Sequence, residues 1–134
     1  MRYWIIKSDP DSYSFEQMKK DGRTVWDGVR NYQARNNLKE MAPGDLCVFY
    51  MSMSDKAAVG TVRVVAEAVQ DPTTDDPRWV APEVEFSNEF GKPVPLSEFK
   101  NDVILQHSSI VKQSRLSVCP ISEDEYIRIL DLAK

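Results

Sequence analysis

The sequence predicts a small α+β domain, a mixed β-barrel of about five or six strands surrounded by short α-helices. Three observations point there. The chain of 134 residues has room for one domain, 1–134, and its 42% hydrophobic and 10% aromatic content suffices for a core. Short segments with the period of a strand are interleaved with short segments of helical period. Proline and glycine separate these segments at the close spacing of small β-rich folds.

The elements follow in order. Tyr3 to Lys7 is an aromatic and β-branched run stopped by Ser8-Asp9-Pro10, a first strand entering a turn. Ser14 with Gln17 has the form of a capping box and Gly22 supplies a stop, so a short helix lies between them. Asp27-Gly28 marks a turn, followed by a helix from about Asn31 to Met41 with Pro43-Gly44 beyond it. Leu46 to Met51 is nearly all apolar, as in a strand covered on both faces, and residues 61 to 68 alternate. Asp71 to Pro77 reads as a loop. Val80, Val84 and Phe86 alternate with Glu83 and Glu85 in a further strand, where Pro82 suggests an edge position. Leu96 to Asp102 reads as a short helix and Leu116 to Cys119 as the last strand. Ser122 with Glu125 caps a final helix whose Tyr126, Ile129, Leu130 and Ala133 form one core-facing stripe.

Composition excludes several functions. With 17 basic and 21 acidic residues the net charge is −4, against a protein that coats nucleic acid by charge alone; any such contact is local. No apolar stretch approaches the roughly 20 residues of a membrane helix, and no signal or transit pattern opens the chain. An intracellular protein is expected, cytoplasmic if bacterial and nuclear if eukaryotic. Cys47 and Cys119 read as reduced packing residues. No zinc or other metal spacing is present, no glycine-rich phosphate loop appears, and no cofactor is implied. His107 is the only histidine and reads as structural; Asp71, Asp75 and Asp76 read as turn carboxylates.

The most informative segment is Trp26-Asp27-Gly28-Val29-Arg30-Asn31-Tyr32-Gln33-Ala34-Arg35-Asn36. At roughly 100° per residue, Ala34, Leu38 and Met41 share one helix side, while Tyr32, Arg35, Asn36 and Lys39 share another. A phenol, a guanidinium fork and an amide suit a nucleotide. On spacing alone that face reads first as a solvated helix surface.

Further motifs narrow the choice. Lys7-Ser8-Asp9-Pro10, the 26–36 segment, Gly44-Asp45-Leu46, Phe49-Tyr50, Arg78-Trp79-Val80, Pro93-Val94-Pro95-Leu96 and Ser114-Arg115-Leu116-Ser117-Val118 together resemble the EVE domain family along essentially the whole chain. The resemblance implies a PUA-like β-barrel, related in fold to the YTH readers of methylated adenine, with an aromatic pocket for a modified base. That base is a modified cytosine in DNA, with RNA as the alternative polymer, and no catalysis is implied. It places Trp26, Asn31, Tyr32, Arg35 and Asn36 in the cleft and Lys7, Ser8 and Asp9 at its lip, and extends to Tyr50, Trp79, Ser114 and Arg115. The expected stacking walls are Trp26 with Tyr50 or Trp79, and Asn31 or Ser8 is expected to read the base edge. Trp26→Ala is expected to weaken binding without unfolding the domain. Trp4, which has no motif partner, belongs to the core. Arg30, Arg35, Lys39, Lys112 and Arg115 could form a local positive patch for phosphates.

Two departures bear on specificity. Asp9 stands where the family commonly has Glu, and Met51 where it commonly has His. The loop from Asp71 to Arg78 is also short, which would leave one wall of the cleft more open. Alternative readings are a protein-interaction adaptor or a small-molecule binder using the same cleft. Weak base-modifying activity through Asp27 or Asp9 is the enzymatic alternative.

Overall fold

The computed structural model describes residues 1–52 and 56–134. In chain order the elements are β1 (Tyr3–Ser8), α1 (Phe15–Asp21), β2 (Arg23–Val25), α2 (Tyr32–Glu40), β3 (Leu46–Met51), β4 (Ala57–Gln70) and β5 (Val80–Pro95). There follow α3 (Leu96–Asn101), a 3-10 turn (Leu105–His107), α4 (Ser109–Lys112), β6 (Val118–Ile121) and α5 (Glu123–Leu132).

The helix ends are set by the residues that the sequence marks for them. Ser14 Oγ accepts the Gln17 N–H (3.1 Å), and Gly22, at φ +73°, closes α1 by donating its N–H to Met18 O. Tyr13, just ahead of this cap, lays its side chain over Met18, a hydrophobic staple that fixes how the chain enters α1. Ser122 and Glu125 form a complete capping box at α5. Ala34 and Leu38 of α2 with its C-cap Met41, and Tyr126 and Ile129 of α5 with its C-cap Ala133, are buried as their spacing predicts, whereas Leu130, the fourth member of the α5 stripe, is only half-buried.

All six strands form one sheet in the order β2-β5-β4-β3-β1-β6, with β1 and β3 parallel and every other pair antiparallel. Among the described residues β2 and β6 stand at the two ends of the ladder, so the barrel curls without a closing strand pair. Repeated register shifts curl it: Val59 is extra on β4 against β3, and the β4–β5 ladder shifts four times. In a flat sheet β1 and β2 would lie four strand steps, about 19 Å, apart. Here residues of both line one cavity.

Pro82 proves not to mark an edge, because β5 runs between β2 and β4. It is tolerated there because Ala66 pairs with Glu83 and Val69 with Ala81, leaving Pro82 at a bulge where its missing N–H breaks no ladder bond. Its carbonyl still accepts the Trp26 N–H (2.8 Å). Trp4 is fully buried, and its indole N–H donates to Asp45 (3.1 Å). Cys47 and Cys119 are free and buried, and burial pushes both thiols up. No helix among the described residues is long and apolar enough to cross a membrane.

Candidate nucleic-acid interface

The main cavity among the described residues, about 640 Å³, lies where the C-terminal ends of β1 and β2 approach each other, within the usual size of a small-ligand site. Lys7, Ser8 and Asp9 line it together with Trp26 to Asn31, and Ser12, Tyr13, Thr24, Val25 and Ser117 complete the lining. Two motifs far apart in sequence thus meet at one site.

Trp26 is only 8% exposed and packs edge-on against Phe49 (5.6 Å) and Tyr13 (6.0 Å), so it is both core and cavity wall. The second aromatic residue here is Tyr13, which sequence reasoning passed over. Burial, and the hydrogen bond that Tyr13 donates to Asp21, push its phenol up to about 12. The available signal was an aromatic residue immediately ahead of a helix cap, in an otherwise polar turn.

Asn31 is the N-cap of α2. Its Oδ1 accepts the Ala34 N–H (2.9 Å), which leaves its amide NH2 as the group it offers a ligand. Ser8 donates its hydroxyl to Tyr13 O and keeps acceptor capacity. Asp9 accepts the Asp11 N–H (2.9 Å) and so shapes the lip turn. Lys7 donates from Nζ to Ser114 O (2.9 Å), and burial lowers its ammonium pKa from the usual value.

Other residues of the expected cleft lie elsewhere. Tyr32 and Trp79 stack on each other (5.1 Å, 29°) on the outer surface, with Arg30 over Trp79 (5.5 Å) and Arg35 over Tyr32 (5.1 Å). Arg35 also bonds Asn36 Oδ1. Through this stack the short 71–78 loop docks on α2. Tyr50 is buried against Phe99 and lines an adjoining cavity of about 140 Å³ that shares Lys7 with the main one; burial pushes its phenol up to about 12. Neither Tyr50 nor Trp79, the expected partners of Trp26, is part of the main cavity's lining. Ser114 and Arg115 line a groove of about 310 Å³ that shares Asn31 with the main cavity. Met51 is buried and absent from the cavity wall.

Asp71 has a role that sequence reasoning missed. It does form its own turn with Thr73, yet it also accepts the Gly28 N–H (2.8 Å) and pairs with Arg30 (3.0 Å), tying down the loop that carries Trp26 to Asn31. Burial alone would raise its pKa, but hydrogen bonds from Thr73, Gly28 and Arg30 together outweigh that and hold it at about 2. The depression contributes about 2 kcal/mol of stability, present above pH 4 and lost as pH falls from 4 toward 2. Asp71→Ala is expected to cost about 2–4 kcal/mol by stranding these donors, and to flatten the acid limb of the stability–pH curve. Denaturant melts between pH 2.5 and 7 measure both effects, and an acid limb parallel to the parent's would contradict this role.

A curled mixed sheet with helices outside and a polar, aromatic-walled cavity at one mouth defines the PUA-like class of fold. Within that class, the chain belongs to the EVE domain family, whose model matches residues 2–132. Mouse thymocyte nuclear protein 1 is 32% identical over 164 aligned residues, covering 97% of this chain and 73% of that protein. The crystal structure of human THYN1 protein in complex with DNA containing 5-methylcytosine superposes with a TM-score of 0.91 at 29% identity, covering 100% of this chain and 98% of that one. The YTH domain of a Zygosaccharomyces rouxii protein, solved with N6-methyladenosine RNA, shares the fold alone: TM-score 0.63, 18% identity, coverage 99% and 86%.

Proposed function

We propose that this chain binds a modified nucleic-acid base, foremost a 5-modified cytosine in DNA, extruded into the main cavity, and performs no chemistry on it. The observation that carries the reading is the meeting of Lys7-Ser8-Asp9 with Trp26 to Asn31 around one cavity of ligand size, in a family whose human member is solved on 5-methylcytosine DNA.

Extrusion costs a few kcal/mol of stacking and pairing. Contact with Trp26 supplies roughly 1–3 kcal/mol, and a well-placed polar contact adds a similar amount of discrimination. The Asn31 amide donates toward base acceptors, and Ser8 Oγ accepts from a base amino group. For catalysis, a carboxylate sequestered beside the ligand would be the expected acid or base. Asp27 is instead exposed, and Asp9 is held by its own turn.

Asn31→Asp separates recognition from folding, because Asp caps a helix as well as Asn does but lacks the NH2 donors. The variant is expected to melt within about 1 kcal/mol of the parent and to lose roughly tenfold in affinity for the preferred base. Fluorescence anisotropy with matched DNA and RNA oligonucleotides carrying unmodified, methylated or hydroxymethylated cytosine, or methylated adenine, reads this directly. Equal affinity of the parent protein for every oligonucleotide would overturn the reading.

A further inference from the structure

The segment leading into β6 is unusual for an acidic chain, since no Asp or Glu occurs between Asp102 and Glu123. Its side chains Lys112, Gln113, Ser114, Arg115 and Leu116 line the 310 Å³ groove together with Asn31 and Gln33. Of the other basic residues, Arg2, Lys19, Arg23, Arg30, Arg63, Arg78, Arg128 and Lys134 have a carboxylate partner, and Lys7, Lys20, Arg35, Lys39, Lys56, Lys92 and Lys100 show none among the described residues, so it is the lack of any acidic neighbour in this segment that sets the groove apart. Lys112 and Arg115 are exposed and form no ion pair among the described residues.

The groove is joined to the main cavity. Asn31 lines both, the Lys7–Ser114 hydrogen bond (2.9 Å) lies between them, and the same segment continues to Ser117 in the cavity wall. The groove also opens at the first turn of the nine-residue helix α2, whose leading N–H groups have no helical acceptor and favour negative charge.

We infer that this groove holds the phosphodiester flanking the base in the main cavity, with Lys112 and Arg115 as its cationic contacts, so that the ligand is a polynucleotide strand rather than a free nucleoside. The inference rests on the proposed base reading for the occupant of the cavity. Asn31 then stands at the fork, where the base turns one way and the backbone passes the other. Cations here bind every sequence alike and so contribute affinity and salt dependence, while discrimination stays with the cavity.

The test uses the full chain and the double variant Lys112→Gln/Arg115→Gln, with Lys20→Gln/Lys100→Gln as a control of equal charge change at exposed sites on α1 and α3. The probes are a labelled 5-methylcytosine oligonucleotide, its unmodified counterpart and free 5-methyl-2′-deoxycytidine, titrated across salt. The groove variant should bind both oligonucleotides about tenfold more weakly, with a salt slope shallower by about 2. Its preference for the modified oligonucleotide and its affinity for the nucleoside should stay unchanged, and the control should behave as the parent. An unchanged affinity and slope, or an equal loss in the control, would overturn the groove. Failure of the base reading looks different: the parent shows no preference for the modified oligonucleotide, while the groove variant still loses affinity and slope.

Discussion

Trp26→Ala is expected to lower the melting temperature by about 10–15 °C and to abolish measurable base preference. The first effect follows from burial. Trp26 is 8% exposed, wedged edge-on between Phe49 and Tyr13, and removing a buried aromatic side chain costs about 3–5 kcal/mol. The second follows because the same ring walls the cavity, where a stacked base is worth roughly 1–3 kcal/mol. The sequence-based expectation that this substitution spares the fold is therefore revised. A motif tryptophan serves as a binding wall here because the core beneath it holds its orientation. Trp26→Phe separates the two roles by keeping an aromatic face over Phe49 with a smaller cavity. It should recover most of the stability and part of the affinity, as read by thermal melts and anisotropy on the same samples. A Trp26→Ala protein that melts with the parent would show that the ring packs against nothing, contrary to its placement.

What could be read from the sequence were those features whose causes are local. Asn31, Ser14 and Ser122 cap helices because a short polar side chain satisfies a first-turn N–H three residues on, so these helix starts are legible without tertiary knowledge. β2 was not legible: three residues have no periodicity, and Arg23 to Val25 are a strand only because β5 pairs with them. Pro82 misled for the same reason, since its bulge is made by β4, a partner that its neighbours do not disclose. In the site, the resemblance supplied the residue types, but which of them share a cavity depends on how the sheet curls. Curling brings Trp26 to Lys7 and Ser8 and leaves Tyr32 and Trp79 on the outer surface, while Tyr13, itself outside every motif, reaches the cavity from the end of the turn that Asp9-Pro10 opens. Asp71 reads locally as a turn carboxylate and is one, yet its bond to Gly28 spans a contact that no local pattern encodes.

Gly60→Ala is expected to cost about 3 kcal/mol or more, a methyl group with an effect comparable to losing an aromatic side chain. A Cβ at Gly60 would lie 2.3 Å from Phe15 Cζ and 2.5 Å from Asn88 O. Neither neighbour can give way cheaply. Phe15 is 5% exposed and held between Phe49 (5.0 Å) and Phe86 (5.8 Å), and Asn88 O is backbone of β5, in the ladder beside β4. Gly60 has no positive φ, so the cost is steric contact alone and not backbone strain. It also pairs with Phe49 in the β3–β4 register, and Phe49 supports Trp26. Displacing Phe15 therefore shifts α1, its Tyr13 staple and the floor of the cavity together. Gly60→Ala should consequently lower both the melting temperature, by about 10 °C or more, and oligonucleotide affinity, although it lies outside the cavity lining. In a Phe15→Leu background part of the clash is already relieved, so the double variant should be more stable than the sum of the single costs by about 1 kcal/mol or more. A melting point within about 2 °C of the parent for Gly60→Ala, or strict additivity with Phe15→Leu, would mean that α1 does not rest on this glycine.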